Sequence, residues 1–174
     1  MRLAMMFVLL TSGVFGQVTQ LKQEITRDGL TVELRASSNR VQLTGEMVVT
    51  VFFRSPRTVT TIWNALGWSG STGLYLQVLD SSGHEVKSHY PPPYDVMPPD
   101  ETGKDELISI GGDSFAGFDS HIPAKMLFRV PGRYTIKCIY SPPLPRNYFQ
   151  GNTIWGKEDG AIESAGVSIS VEER

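Results

Sequence analysis

Few cysteines and no long helical pattern set the first limits on this sequence of 174 residues. Cys138 is its only cysteine, so a disulfide bond within the chain is excluded. In the middle of a predicted strand we expect Cys138 to be a small buried apolar residue, while pairing with another chain stays open. No window follows the helical period for more than about two turns. The sequence is therefore that of a β-rich chain without an internal covalent link.

A strong charge of one sign is also missing. The sequence has 16 Lys and Arg residues against 18 Asp and Glu residues, a formal net charge of −2. No basic stripe is present, so nucleic acid and anionic membrane are not expected as partners. The sequence contains no Asn-x-Ser/Thr acceptor, which removes one mark of a eukaryotic secreted surface.

A single apolar run stands out, and it lies at the N-terminus. Arg2 precedes the apolar stretch Leu3 to Leu10, and Val14 to Gly16 form an exit of mostly small residues. This order predicts a secretory signal peptide over residues 1–16, cleaved before Gln17. The run is shorter than the roughly 20 residues that a helix needs to span a bilayer. We therefore expect no integral membrane span after cleavage, and a secreted or periplasmic protein of a bacterium.

Two-residue alternation of apolar and polar side chains dominates the rest of the chain. It is clear at Leu30 to Arg35, Leu74 to Val78 and Val167 to Val171. Met47 to Phe53 is apolar on both faces apart from Thr50, as expected of a central strand. Short strands separated by turn signals predict one all-β domain over residues 17–174, an antiparallel immunoglobulin-like β-sandwich.

The stretch Leu127 to Tyr140 best supports this fold. A Pro131-Gly132 turn leads into a strand whose alternate residues fall on two faces. Its first face comprises Tyr134, Ile136, Cys138 and Tyr140, and its second face comprises Thr135, Lys137 and Ile139. Tyr134 stands where such sandwiches place a corner tyrosine, so we expect its hydroxyl to bond to nearby backbone.

Two proline-rich segments, Tyr90 to Pro99 and Pro142 to Phe149, interrupt the strand pattern. Proline fixes φ and removes a backbone donor, so a central strand cannot pass through them. They are predicted to be long extended surface loops.

Several of these motifs are similar to known families. The Tyr134 corner, Trp155-Gly156, Ser164 and the strand Val167 to Val171 together resemble the last two strands of bacterial secreted immunoglobulin-like domains. FFRSPRTVT followed by LYLQVLDSSGHEV is similar, more weakly, to the intracellular proteinase inhibitor (BsuPI-like) family, which is also a sandwich. Ile136 stands where antibody-type domains have a cysteine, so apolar packing replaces that bridge. The resemblances imply a β-sandwich, and they assign no inhibitory residue.

Two serines lie in motifs that loosely match hydrolase signatures. Ser69 lies in Gly-Trp-Ser-Gly-Ser, which lacks the last glycine and the following helix of a nucleophile elbow. Ser114 lies in Gly-Asp-Ser-Phe, with Asp119 and His121 downstream, but late in a chain without helices. We expect turns at both sites and no enzymatic activity, and a serine hydrolase is the third hypothesis for function.

Metal binding is not predicted either. His84 and His89 fall on opposite faces of a strand, and no recognised ligand spacing includes His121. The acidic residues near the first proline-rich loop lack the positional regularity of a calcium loop; they are Asp95, Asp100, Glu101 and Asp105. No metal or other cofactor is expected.

Aromatic residues in the predicted loops are the candidate binding residues. Together with one arginine, they are Trp68, Tyr90, Tyr94, Arg146, Tyr148, Phe149 and Trp155. Tyr, Trp and Arg supply much of the energy of protein interfaces, although large rings also fold back to cover the ends of a sandwich. The leading hypothesis is an exported, non-enzymatic binding or structural module for a protein or glycan. The alternative is a protease inhibitor that uses a proline-rich exposed loop.

Overall fold

The computed structural model describes residues 29–64, 73–90, 100–102, 104–112 and 114–173. Strands dominate this part of the chain, and they are β1 (Thr31–Ala36), β2 (Arg40–Gln42), β3 (Glu46–Arg54), β4 (Thr60–Trp63), β5 (Leu74–Leu79), β6 (Leu107–Ile110), β7 (Phe115–Pro123), β8 (Gly132–Tyr140), β9 (Ile162–Glu163) and β10 (Val167–Glu172). A one-turn helix, α1 (Ala124–Leu127), and 3₁₀ turns at Lys104–Glu106 and Lys157–Asp159 accompany them. The predicted all-β class is confirmed, and the predicted signal peptide lies outside the described residues.

The first sheet has the strand order β1-β3-β7, with both pairs antiparallel. Every second side chain of β3 is buried, which places Val49, Val51 and Phe53 in the core. Phe52 and Thr50 point to the opposite side, because successive residues of a strand alternate between its faces. The prediction of a central strand is confirmed, but the outward residues of β3 between Glu46 and Arg54 are only half-buried.

The second sheet has the strand order β2-β10-β8-β5. β2 runs parallel to β10, while the pairs of β10 and β5 with β8 are antiparallel. The short β9 pairs with the end of β8 at Ile139 and Tyr140. β8, the organising strand of the sequence, therefore has partners along both of its edges.

A β-bulge joins β9 to β10. Glu163 lies opposite Ile139, and Val167 lies opposite Ile136. Three residues on this side therefore face two on β8, which is the signature of a bulge. Ser164 fills the gap, since its Oγ accepts a hydrogen bond from Cys138 N at 2.9 Å and its own N donates to Cys138 O at 2.9 Å.

The inward faces of the two main sheets share one apolar cluster. Phe53 of the first sheet contacts Tyr140 of the second edge to face, with ring centroids 5.1 Å apart. Cys138 is fully buried, as predicted, and burial raises the pKa of its thiol. Ile139 is also buried although it lies on the other face of β8. None of the helices in the described ranges is long and apolar enough to cross a membrane.

The corner predicted at Tyr134 is present. Its hydroxyl donates a hydrogen bond to the Val130 carbonyl oxygen at 2.9 Å, and its ring packs on Phe128 with centroids 4.8 Å apart. This bond ties the start of β8 to the turn before it. A smaller two-stranded sheet, β4 with β6, adds Ile62 and Ile110 to the core.

Candidate functional site

The predicted loop aromatics pack against the protein in the described part of the chain. Phe149 and Trp155 are 2% and 5% exposed. Tyr148 is half-buried and meets Phe149 edge to face at 5.2 Å. Tyr90 is also half-buried, and its hydroxyl lies 3.0 Å from Ser120 Oγ. Trp68 and Tyr94 lie outside the described residues, so a common exposed platform is not formed by the four rings that are described.

Arg146 has a structural task in the loop after β8. Its guanidinium forms an ion pair with the nearly buried carboxylate of Asp159. Its backbone N donates to Glu158 Oε2 at 2.8 Å, and this bond lowers the pKa of Glu158. Trp155 N donates to Thr61 O of β4 at 2.7 Å. The loop is therefore anchored on the domain, and a role of these residues in binding stays a prediction.

A small apolar cluster also anchors this loop on the domain. Four side chains bury one another away from the main core; they are Trp63, Leu144, Phe149 and Ile154. Trp63 Nε1 donates to Glu106 Oε2 at 3.1 Å, whereas the buried Trp155 Nε1 has no partner among the described residues. Packing, rather than hydrogen bonding, holds the Trp155 ring in place.

The described hydrolase candidates do not form a nucleophile and base pair. Ser114 Oγ donates to Gly111 O at 2.7 Å and closes a turn, as predicted. Asp119 accepts a hydrogen bond from Thr50 Oγ1 at 2.6 Å, and His121 Nδ1 lies 2.8 Å from a carboxylate oxygen of Glu46. Ser120 points to the other face of β7, toward Tyr90. Ser69 lies outside the described residues.

Candidate metal ligands are dispersed over the described ranges, where no group of three or more His, Cys, Asp or Glu side chains is placed to hold an ion. His84 Nδ1 lies 4.0 Å from Asp80 Oδ2 at the turn after β5. Asp100 accepts hydrogen bonds from the backbone N and the hydroxyl of Thr102, which lower its pKa. Asp95 lies outside the described residues.

An exposed cluster of aromatic rings and guanidinium groups lies on the outward side of the first sheet. We call it the aromatic-arginine face, and it consists of Arg35, Phe52, Arg54 and Phe115. The two rings meet edge to face with centroids 5.4 Å apart. The guanidinium carbons of Arg35 and Arg54 lie 4.9 and 6.0 Å from the Phe52 centroid. Phe115 is 59% exposed, so much of its apolar surface is open to solvent.

Strand register assembles this face. Arg54 lies opposite Phe115, and Phe52 lies between Glu33 and Gly117 of the neighbouring strands. Gly117 carries no side chain on this face, and a Cβ there would overlap the Val51 carbonyl oxygen. Position 117, beside the Phe52 ring, must therefore remain glycine.

Sequence reasoning missed the aromatic-arginine face. Its signal is the apolar character of both faces of β3, which predicts a central strand but does not show that the outward side chains are partly exposed. The outward residues Val48 and Phe52 are half-buried instead. An aromatic residue at an outward position of a half-covered strand was the feature that marked the face.

A shallow polar groove lies on the outward side of the second sheet. It has a volume of about 500 Å³. We call it the hydroxyl groove, and the side chains that define it are Asn39, Asp80, Arg133, Thr135, Ser168 and Ser170. Ser168 lies opposite Thr135, and Ser170 lies opposite Arg133.

No protein-family model and no curated protein matches this chain. A function is therefore inferred from the side chains of the two outward surfaces.

Proposed function

We propose that this chain is an exported, non-enzymatic binding module with an immunoglobulin-like β-sandwich fold, and that it binds a protein through the aromatic-arginine face. Two facing sheets with mainly antiparallel pairing and the Tyr134 corner support the fold assignment. The observation that carries the binding proposal is the exposed Phe115 ring beside two guanidinium groups.

The chemistry of this face suits a protein partner. Aromatic and arginine side chains are enriched where interfaces gain most of their energy. Arg35 is held by Glu33, with Arg35 Nε 2.7 Å from a carboxylate oxygen. Arg54 is exposed and has no carboxylate partner within the described part of the chain. We therefore expect a partner surface that places an apolar side chain on Phe115 and a carboxylate on Arg54.

The anchored loop is less suited to recognition. A segment that enters a protease cleft must project in an extended form, but Pro142, Leu144 and Phe149 of the second proline-rich loop are buried. The first such loop lies outside the described residues from 91 to 99. A protease inhibitor that uses this first loop is the alternative function.

Photo-crosslinking from a single position tests the proposal. A photoreactive phenylalanine analogue replaces Phe115 in one protein and Val130 in a second, and both are incubated with extracellular and envelope extract of the source cells. Val130 is 58% exposed, so it matches Phe115 in accessibility but lies away from the face. We expect a protein crosslinked from position 115 and not from position 130.

Affinity measurements with the purified crosslinked protein complete the test. Phe115→Asp and Arg54→Glu should each weaken binding by about 30-fold, as expected for residues that carry about 2 kcal/mol. Val130→Asp should leave affinity unchanged. Equal crosslinking from both positions, or full affinity of Phe115→Asp, would contradict the proposal. If the only crosslinks formed were between copies of this chain, the partner at this face would be a second copy and not a different protein.

A further inference from the structure

We infer that the hydroxyl groove is a second binding site, and that its ligand is a neutral saccharide. The groove is built from one continuous sheet, so its geometry is set by strand register. Thr135 of β8 and Ser168 of β10 form one row, and Arg133 and Ser170 form the next. Asn39 extends the second row, since its carbonyl oxygen accepts from Ser170 N at 2.8 Å.

The side chains of the groove have unused hydrogen-bonding capacity. Within the described part of the chain, Thr135, Ser168 and Ser170 make no side-chain hydrogen bond to protein. By contrast, the outward hydroxyl of Thr50 on the first sheet donates to Asp119, and Thr61 bonds to Ser109 on the small sheet. A hydroxyl is both a donor and an acceptor. The groove therefore offers hydroxyls that can each donate and accept, as the hydroxyls of a sugar also can.

The charged residues of the groove favour a neutral ligand. Asp80 is oriented by two backbone donors, Ser82 N at 2.8 Å and His84 N at 3.0 Å from Oδ1. Arg133 is exposed and has no carboxylate partner among the described residues. The charges of the Asp80 carboxylate and the Arg133 guanidinium cancel, and the carboxylate would repel an anion such as phosphate. Both planar groups suit bidentate bonding to neighbouring hydroxyls.

The size of the groove limits the ligand. Its volume of about 500 Å³ lies within the range of small-molecule sites. From β2 to the turn after β5 it crosses three strand spacings, about 14 Å, which accommodates two or three linked sugar rings. The lining includes Tyr134, whose ring faces the core, so an exposed aromatic platform is not among its described residues. Binding by hydrogen bonds alone, in competition with water, should be weak.

Amide chemical shifts of the folded protein test this inference. Cellotriose, maltotriose and triacetylchitotriose are titrated separately into isotope-labelled protein. We expect at least one of them to shift the backbone amides of Thr135, Ser168 and Ser170, with saturable concentration dependence. The double variant Thr135→Val, Ser168→Ala should weaken that binding by about 10-fold, because two neutral hydrogen bonds are lost. Both positions lie on the outward face, so the fold should be retained.

Two controls keep the result specific. Thr44→Val removes an exposed hydroxyl in the turn before β3, outside the groove, and should leave saccharide affinity unchanged. Phe115→Asp should also leave it unchanged, since the aromatic-arginine face lies on the other sheet. The inference is overturned if no trisaccharide shifts these amides up to its solubility limit. Unchanged affinity in the double variant, or shifts confined to the first sheet, would overturn it equally.

Discussion

The two main sheets both bury apolar side chains on their inward faces, but they differ in the side chains on their outward faces. Alternate residues of β3 and β8 enter the same apolar core. Outward, β3 carries Phe52 in contact with an aromatic ring and two guanidinium groups, while β8 carries Thr135 in a groove lined by hydroxyls. Core packing constrains mainly one face of each strand, with Ile139 of β8 as a buried residue on the other face. The outward faces are less constrained, and the two sheets carry different side chains there.

The largest expected effect separates the two faces of one strand. Phe53→Ala should lower the free energy of unfolding by about 3–5 kcal/mol, because it leaves a cavity in the core. Phe52→Ala should cost only about 1 kcal/mol, the value of exposed ring and cation contacts. Urea unfolding of both variants measures the difference. Equal losses would mean that the outward face of β3 is as structural as the inward one.

The next largest effect is expected when variants of each face are titrated with the proposed ligands of both faces. Phe115→Asp should reduce protein binding by about 30-fold and leave saccharide binding intact. Thr135→Val with Ser168→Ala should do the reverse. Titration of both ligands against both proteins measures the four affinities. If either variant weakened both ligands, the faces would be energetically coupled rather than independent.

Glycine-to-alanine substitutions compare how much space each sheet leaves for an added Cβ. Gly117→Ala should destabilise the protein by about 1–3 kcal/mol, because its new Cβ would overlap the Val51 carbonyl oxygen. Gly166→Ala in the bulge would instead meet the methyl group of Thr135, a side chain that can rotate. The loss of stability caused by Gly166→Ala should be smaller than that caused by Gly117→Ala. Thermal unfolding of both variants checks this order, and a larger loss at Gly166 would contradict it.

The smallest effect is electrostatic and confined to the second sheet. Partial burial, and then the carboxylates of Glu163 and Glu85, raise the pKa of Tyr75. A negative neighbour disfavours the phenolate, so Glu163→Gln should lower this pKa toward its ordinary value. Ultraviolet titration, with Tyr75→Phe to assign the signal, measures it. Glu33→Gln on the first sheet is the control and should not move it.

Sequence alternation predicted the features that depend on local pattern. The strands at Leu30 to Arg35, Leu74 to Val78 and Val167 to Val171 are present with small shifts at their ends. The Tyr134 corner and the burial of Cys138 are also confirmed. These features follow from neighbours within a few residues, because side-chain period and turn chemistry are local.

Features set by distant contacts were not predicted. β2 has only three residues and exists because β10, about 130 residues later, pairs with it. The outward exposure of Phe52 depends on what covers the sheet, which alternation alone does not encode. Burial of Trp155 and Phe149 depends on a loop that folds back on β4. The hydroxyl groove likewise requires the register of β10 against β8.

The bulge between β9 and β10 has a consequence for insertions and deletions. Its extra residue absorbs one step of the chain, so loss of the codon for Ala165 or Gly166 should leave Val167, Ile169 and Val171 in phase with the core. The same loss directly after Val167 would turn Ile169 and Val171 outward and Ser170 inward, since a one-residue slip exchanges the faces of a strand. We therefore expect natural length variation in this strand to be confined to the bulge.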